Sequence, residues 1–347
     1  MYSETDMRMM GRALQLARMG AGFVSPNPMV GAVIADTEGR IIGEGYHRCW
    51  GGPHAEVNAV ASVADKAVLR GATMYVTLEP CSHYGKTPPC ARLLCECGFG
   101  KVVVACPDPF TEVSGRGISM LRDCGIDVRV GLMREQCEAL NRKFIYAHTH
   151  RRPYVLLKWA RTADGYMSAP GGVPLQISSA VSQVWMHRER AGADAIMAGT
   201  GTLRADNPSL TCRLWPSRRL CPVVLDRSGH VPLAAKVLGS KDLILLRDNL
   251  GPDQLLDRLY ADYGITSLIV EGGAALLASF IDQDLWQEMR VETAAVRVGG
   301  GVSAPVPAHY PSYSGECGGH RIDRYYSEEV LSLFPALKGV SGPLKRR

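Results

Sequence analysis

The sequence predicts an α/β fold in two domains, and three observations predict it. Its 347 residues exceed what one core of the usual size, about 100 to 150 residues, accommodates. Each half alternates helical and extended hydrophobic patterns. Between the halves, the polar, basic stretch His148-Thr149-His150-Arg151-Arg152 ends in Pro153 and reads as a boundary. The domains are therefore placed at 1–150 and 151–337, with a loose basic tail at 338–347.

In the first half, the spacing of apolar residues predicts a helix near Thr5–Met19, strands near Met29–Ala35 and Arg40–Tyr46, and a helix near His54–Ser62. Asp36-Thr37-Glu38-Gly39 makes the hairpin turn. Strands near Thr73–Leu78 and Lys101–Ala105 bracket a helix at Cys90–Cys97, and a strand at Asp127–Val130 leads into a helix over Arg134–His148. In the second half, strands are predicted at Tyr154–Ala160, Ala193–Gly199, Pro222–Asp226, Leu243–Arg247, Ser267–Val270 and Met289–Val296. Helices are predicted at Ser178–Arg190 and Ala274–Gln283.

Composition narrows the function classes. With 46% hydrophobic and 21% charged residues and no apolar run of about 20, the chain reads as a soluble protein that does not cross a membrane. Its first twenty residues mix acids and bases through an amphipathic pattern, unlike a secretory leader. The net charge of +5 is too slight and dispersed to point to nucleic acid. The 11 cysteines read as free thiols with a few metal ligands, in a reducing, cytoplasmic compartment, and not as a disulfide framework.

The chemistry is concentrated in His54-Ala55-Glu56, Pro80-Cys81 and Cys90. One imidazole and two thiolates leave the fourth tetrahedral position of Zn2+ open, as a catalytic zinc site requires. Zinc lowers the pKa of water to about 7 and so supplies a nucleophile for an amino-bearing ring carbon. Glu56 then moves the protons. Residues two apart in mid-helix lie about 200° apart, so His54 and Glu56 share a site only where a helix begins, and Gly51-Gly52-Pro53 provides such a start. Cys90 follows Pro88-Pro89 and opens its own helix, where free amides favour thiolate. Cys95, Cys97, Cys106, Cys124 and Cys137 read as buried or idle thiols. Cys97 starts about 10 Å along the helix from Cys90, too far to share its metal.

These elements resemble the bifunctional deaminase-reductase family of riboflavin biosynthesis. The N-terminal likeness rests on Pro26-Asn27-Pro28-Met29-Val30-Gly31-Ala32-Val33 and on Ser82-His83-Tyr84-Gly85-Lys86-Thr87-Pro88-Pro89 between the cysteines. The C-terminal likeness rests on Lys158-Trp159-Ala160, Asp164-Gly165, Gly199 through Pro208, Leu210-Thr211, Val270-Glu271-Gly272-Gly273 and Gly299-Gly300-Gly301. The resemblance implies a cytidine-deaminase-like three-layer domain followed by a dihydrofolate-reductase-like α/β domain. The first would deaminate diaminohydroxyphosphoribosylaminopyrimidine, and the second would reduce the ribosyl group of the product to ribityl with NADPH.

Carried over by position, the resemblance puts zinc on His54, Cys81 and Cys90 and the proton shuttle on Glu56. Asn27 would hold the pyrimidine. Ala160, Thr202, Asp206 and Gly273 would line the cofactor, while Arg190, Leu210, Arg213 and Glu271 would contact the phosphoribosyl substrate. A homo-oligomer is a further implication, with no interface legible in the sequence.

The residues of the second half say less by themselves. There is no G-x-G-x-x-G, so a Rossmann dinucleotide site has no support, and Gly272-Gly273 reads equally as a phosphate cradle or a tight strand-to-helix turn. The chain departs from many relatives at Gln176, where they carry tryptophan, and at Pro174, where some carry a small polar residue. Two competing readings follow: an active deaminase joined to a non-catalytic second domain, and a zinc-stabilised nucleic-acid-binding protein whose metal site Cys95 or Cys97 closes.

Overall fold

Ser3 starts the first helix by exchanging hydrogen bonds with Asp6: its hydroxyl accepts from the Asp6 amide at 3.1 Å, and its own amide donates to the Asp6 carboxylate at 2.9 Å. The helix, α1, runs over Glu4–Arg18. In this computed structural model, residues 2–83, 88–109, 115–173, 175–217 and 219–339 are described. Tyr84 to Thr87, Pro174 and tail residues 340–347 lie outside them. The chain divides into two compact units, Met1–Thr149 and His150–Arg347.

Unit 1 continues with β1 Gly31–Ala35, β2 Ile41–Tyr46, α2 Ala55–Ser62, β3 Thr73–Val76, α3 Cys90–Cys97, β4 Lys101–Val104, α4 Arg116–Asp123, β5 Asp127–Val130, α5 Arg134–Leu140 and α6 Arg142–His150. The sheet order is β2-β1-β3-β4-β5, antiparallel at β2/β1 and β1/β3 and parallel from β3 to β5. Period-two alternation divides the strand side chains between two cores. Ala32, Ile34, Met74, Val76, Val102 and Val104 pack with α2, α3 and α4 residues, whereas Val33, Ala35, Tyr75 and Val103 pack with Met9, Met10, Ala13 and Cys137. Gly45 allows α2 to lie against β2: a Cβ there would come within 2.2 Å of the Ala59 nitrogen.

Two local expectations change. The single helix over Arg134–His148 is two helices, broken at Asn141. Its buried carboxamide accepts from the Met29 amide at 2.8 Å and donates to the Met29 carbonyl at 2.9 Å, an attachment that fixes the backbone there. Cys95 and Cys124 are not idle thiols but form a disulfide between α3 and the end of α4, with Cα atoms 5.9 Å apart. Their separation of 29 residues hid the pairing, because α4, eight residues long after its Gly115 cap, has no apolar pattern long enough to announce it.

Unit 2 contains β6 Tyr154–Arg161, α7 Ala180–Ala191, β7 Ala195–Gly199, α8 Thr200–Asp206, β8 Cys221–Leu225, β9 Ile244–Leu246, α9 Pro252–Tyr263, β10 Ser267–Val270, α10 Ala274–Ile281, β11 Glu288–Thr293, β12 Tyr313–Cys317, β13 His320–Tyr326 and α11 Glu328–Leu333. The sheet order is β12-β13-β11-β6-β10-β7-β8-β9. Strands β6 to β11 run parallel, and β13 and β12 add an antiparallel edge. The chain passes outward from β6 to β9 and returns to place β10 between β6 and β7, so the loops following β10 and β7 emerge side by side at the carboxyl ends, where α/β sheets hold ligands. Val155, Leu157, Trp159, Val270, Met289 and Val291 form one core face.

Candidate active site

His54 is the N-cap of α2, with φ −68° and ψ 167°, and Glu56 follows in its first turn. The helix start thereby brings both onto one site. Cys90 is the first residue of α3, after Pro89, and its amide donates to Cys81 Sγ at 3.3 Å. His54 Nδ1 lies 3.6 Å from Cys81 Sγ and 3.4 Å from Cys90 Sγ, and the three ligand atoms all lie within 4.8 Å of one another. A zinc tetrahedron with bonds of about 2.3 Å to sulfur and 2.0 Å to nitrogen has edges of about 3.5 to 3.8 Å, so this donor set fits the ion. Cys95 is in the disulfide and Cys97 lies outside the group, so neither closes the site.

The two neighbouring thiols differ in acidity. The hydrogen bond with Cys90 holds the Cys81 thiol down to about 4, with His54 adding to the effect, while the hydrogen bond with Cys81 and burial push Cys90 up. Glu56 is 3% exposed, and burial pushes its carboxyl up to about 7, near where a proton shuttle works at neutral pH.

Two residues that carried no signal in the sequence hold the site. Buried His47, just beyond β2, places Nδ1 3.1 Å from the Pro53 carbonyl and Nε2 3.3 Å from Asn27 Nδ2. A carbonyl only accepts, so Nδ1 carries the proton and Nε2 accepts from Asn27. Buried Glu79 accepts from the amides of Asp108 (3.2 Å), Gly115 (3.0 Å), Gly117 (2.9 Å) and Ile118 (3.2 Å), tying the chain two residues before Cys81 to the start of α4. Both contacts join segments remote in sequence.

In unit 2, Arg190 from α7 forks onto Glu271, just after β10, with nitrogen-oxygen distances of 2.7 and 2.8 Å, and donates to the Thr211 carbonyl at 2.9 Å. Burial pushes the Glu271 carboxyl up, but the Arg190 charge and hydrogen bonds outweigh it and hold the group down to about 2. Beside them, burial and the Arg190 and Arg213 charges press His187 down to about 4. Leu210 is buried with φ +48°. Gly273 caps α10, and a Cβ on it would lie 3.5 Å from Thr202 Oγ1, so the starts of α8 and α10 meet.

Ala160 is half-buried near the end of β6, and Lys158 precedes it on the same face. Burial presses the Lys158 ammonium down from its ordinary range. Asp206 is exposed at the far end of α8; Arg213 is exposed as well, with its charge reaching His187 beside the Arg190–Glu271 pair. Gln176 is exposed and donates to the Ser178 carbonyl at 2.9 Å.

Residues 3–106 match the cytidine and deoxycytidylate deaminase zinc-binding region, and residues 153–310 match the RibD C-terminal domain. The riboflavin biosynthesis protein RibD of Aquifex aeolicus (strain VF5) is 38% identical over 325 residues, covering 87% of this chain and 90% of that protein. The RibD of Bacillus amyloliquefaciens is 38% identical over 318 residues, covering 84% and 85%. Among solved structures, Acinetobacter baumannii RibD (form 2) superposes with a TM-score of 0.86 at 32% identity, covering 93% of this chain and 99% of that one. A diaminohydroxyphosphoribosylaminopyrimidine deaminase/5-amino-6-(5-phosphoribosylamino)uracil reductase from Thermotoga maritima gives 0.83 at 33% identity, covering 92% and 98%. Unit 1 is thus a cytidine-deaminase-like α/β domain and unit 2 a RibD C-terminal, dihydrofolate-reductase-like one. No helix of the described residues is long and apolar enough to cross a membrane. On relatives that run nearly end to end with it, this chain belongs to the RibD family and is a deaminase-reductase of riboflavin biosynthesis.

Proposed function

We propose that unit 1 removes the amino group of diaminohydroxyphosphoribosylaminopyrimidine by hydrolysis, and that unit 2 reduces the ribosyl group of the resulting 5-amino-6-(5-phosphoribosylamino)uracil with NADPH. The observation that carries the first step is the convergence of His54, Cys81 and Cys90 beside buried Glu56. Zinc bound by those three side chains supplies the Lewis acidity that makes water a nucleophile near neutral pH. Glu56 takes the proton of the attacking water and returns protons to the ring nitrogen and the departing ammonia. Asn27, its amide nitrogen given to His47, turns Oδ1 toward the pyrimidine to accept a hydrogen bond.

For the second step, NADPH supplies a hydride. Gly273 and Thr202, where α10 and α8 begin, are the residues proposed to hold it. Arrival of hydride at the ribose anomeric carbon breaks its bond to the ring oxygen, which must then gain a proton. Lys158 makes no hydrogen bond or ion pair with another described residue, and it is the group proposed to give that proton. The Arg190–Glu271 pair fixes the ribose phosphate end of the pocket. A deaminase with a silent second unit is the competing reading, favoured by Gln176, whose amide is bonded to its own loop.

One experiment separates the two. Zinc-loaded protein is given the diaminopyrimidine ribotide and NADPH while ammonia and nicotinamide absorbance are followed, with each component omitted in turn. Ammonia followed by NADPH oxidation is the expected result. Ammonia alone supports the silent reductase, and neither signal overturns the proposal.

A further inference from the structure

We infer that Glu292, with Arg290 and His320 around it, is a positioning residue for Lys158, its carboxylate standing on the same sheet face from the β11 side as Glu271 stands from the β10 side. This deepens the reading of unit 2 as the reductase.

Strand β6 lies between β10 and β11 in the sheet. In the parallel register of β11 and β6, Arg290 stands opposite Lys158 and Glu292 opposite Ala160. These four residues therefore share one face, and the alternate pair Val291 and Trp159 faces the apolar core. Burying charges on an interior strand is costly unless each is matched. Glu292 is 0% exposed and accepts from Ser182 Oγ at 2.6 Å, His320 Nδ1 at 2.7 Å and Ser178 Oγ at 2.9 Å.

Arg290 does not complete the match. It lies 3.8 Å from Glu292, donates through Nη2 to Ser182 at 3.2 Å, and leaves buried Nη1 without a hydrogen-bond partner among the described residues. Further along β11, Glu288 is taken by Arg324, which also pairs with Glu189. Among the described residues, Lys158 is the cation on this face that makes no hydrogen bond or ion pair.

The groups that act on Lys158 come from both sides. Glu271 and Glu292 favour its charged form, while Arg290 and Arg190 oppose it, and His187 lies within reach of its charge. Glu271 is already held by both arms of the Arg190 fork. Glu292 accepts hydrogen bonds only from neutral hydroxyls and His320, and its one guanidinium neighbour, Arg290, stays 3.8 Å away without a hydrogen bond, so it is less tightly engaged than Glu271. A proton donor must begin charged, and Glu292 extends the pH range over which Lys158 does so.

The test uses the full-length protein and follows NADPH oxidation with 5-amino-6-(5-phosphoribosylamino)uracil from about pH 6 to 10. Glu292→Gln is expected to move the alkaline limb of kcat down by about one pH unit, a roughly tenfold loss of rate above the limb. Arg290→Met removes the opposing charge and is expected to move the limb up. Ammonia release and thermal unfolding report whether each variant is folded. Should Glu292→Gln not fold, Arg290→Met carries the test with the opposite sign. A rate lowered equally at every pH, with the limb unmoved, assigns the cluster a structural role and overturns the inference. Absence of NADPH oxidation by the unmodified chain at any pH instead removes the reductase reading on which the inference rests.

Discussion

Asn27 Nδ2 lies 3.3 Å from His47 Nε2, and the other ring nitrogen of that imidazole is fixed on the Pro53 carbonyl, one residue before His54 of the His54–Cys81–Cys90 cluster. A single ring therefore sets the orientation of the Asn27 amide. In His47→Ala the amide is free to rotate. The KM of ammonia release is expected to rise about tenfold, the worth of one hydrogen bond of about 1.4 kcal/mol, while zinc content is unchanged. Loss of zinc together with activity would instead make His47 part of the metal site's scaffold.

Glu56→Gln preserves size and removes the proton shuttle. Ammonia release is expected to fall by about 100- to 10,000-fold with zinc still bound, whereas Cys90→Ser should lose the zinc itself. Metal analysis beside steady-state rates separates the two, and full turnover in Glu56→Gln would remove the carboxylate from the mechanism.

The disulfide predicts a thiol count. Unfolded without reductant and metal-free, the chain should react with alkylating reagent at nine cysteines, and the two that appear on reduction should be Cys95 and Cys124. Closing 29 residues stabilises by about 3 to 4 kcal/mol on the chain-entropy account, so Cys124→Ser should lower the denaturation midpoint.

The Arg190–Glu271 pair gives an acid dependence of definite sign. Glu271 is held down to about 2 from its ordinary 4.5, so its contribution is present above pH 4.5 and disappears as pH falls toward 2. The shift corresponds to something on the order of 3 kcal/mol. The stability difference between the unmodified chain and Glu271→Gln should accordingly narrow over that window in urea titrations, and a constant difference would refute it.

The His54–Cys81–Cys90 cluster was legible because two of its members sit at helix starts marked by Pro53 and Pro89, and because an imidazole, a carboxylate and two thiolates have few joint uses. Strands β5 and β10 and helix α3 follow their hydrophobic patterns to the residue. What escaped depends on distance in sequence. His47 matters through Asn27 and Pro53, Glu79 through amides some thirty to forty residues on, and Cys95 through Cys124. The hairpin of β12 and β13 escaped for a different reason: its alternation is of charged and polar residues, with Gly318-Gly319 at the turn. Strand β11 carries charges where the period-two pattern expects apolar residues, so only the structure reveals them as interior.

That hairpin bears on where the second unit ends. The RibD C-terminal match stops at residue 310, before Tyr313–Cys317 and His320–Tyr326. In the folded chain β13 pairs along the whole of β11, from Glu288 with Tyr326 to Thr293 with Arg321, and it supplies His320 and Arg324 to the carboxylates of β11. A chain cut at the family boundary would leave β11 as an open edge, with the backbone donors and acceptors on its β13 side unpaired and its two carboxylates without His320 and Arg324. The shortest autonomous form of this half is therefore longer than the segment by which its kinship is recognised.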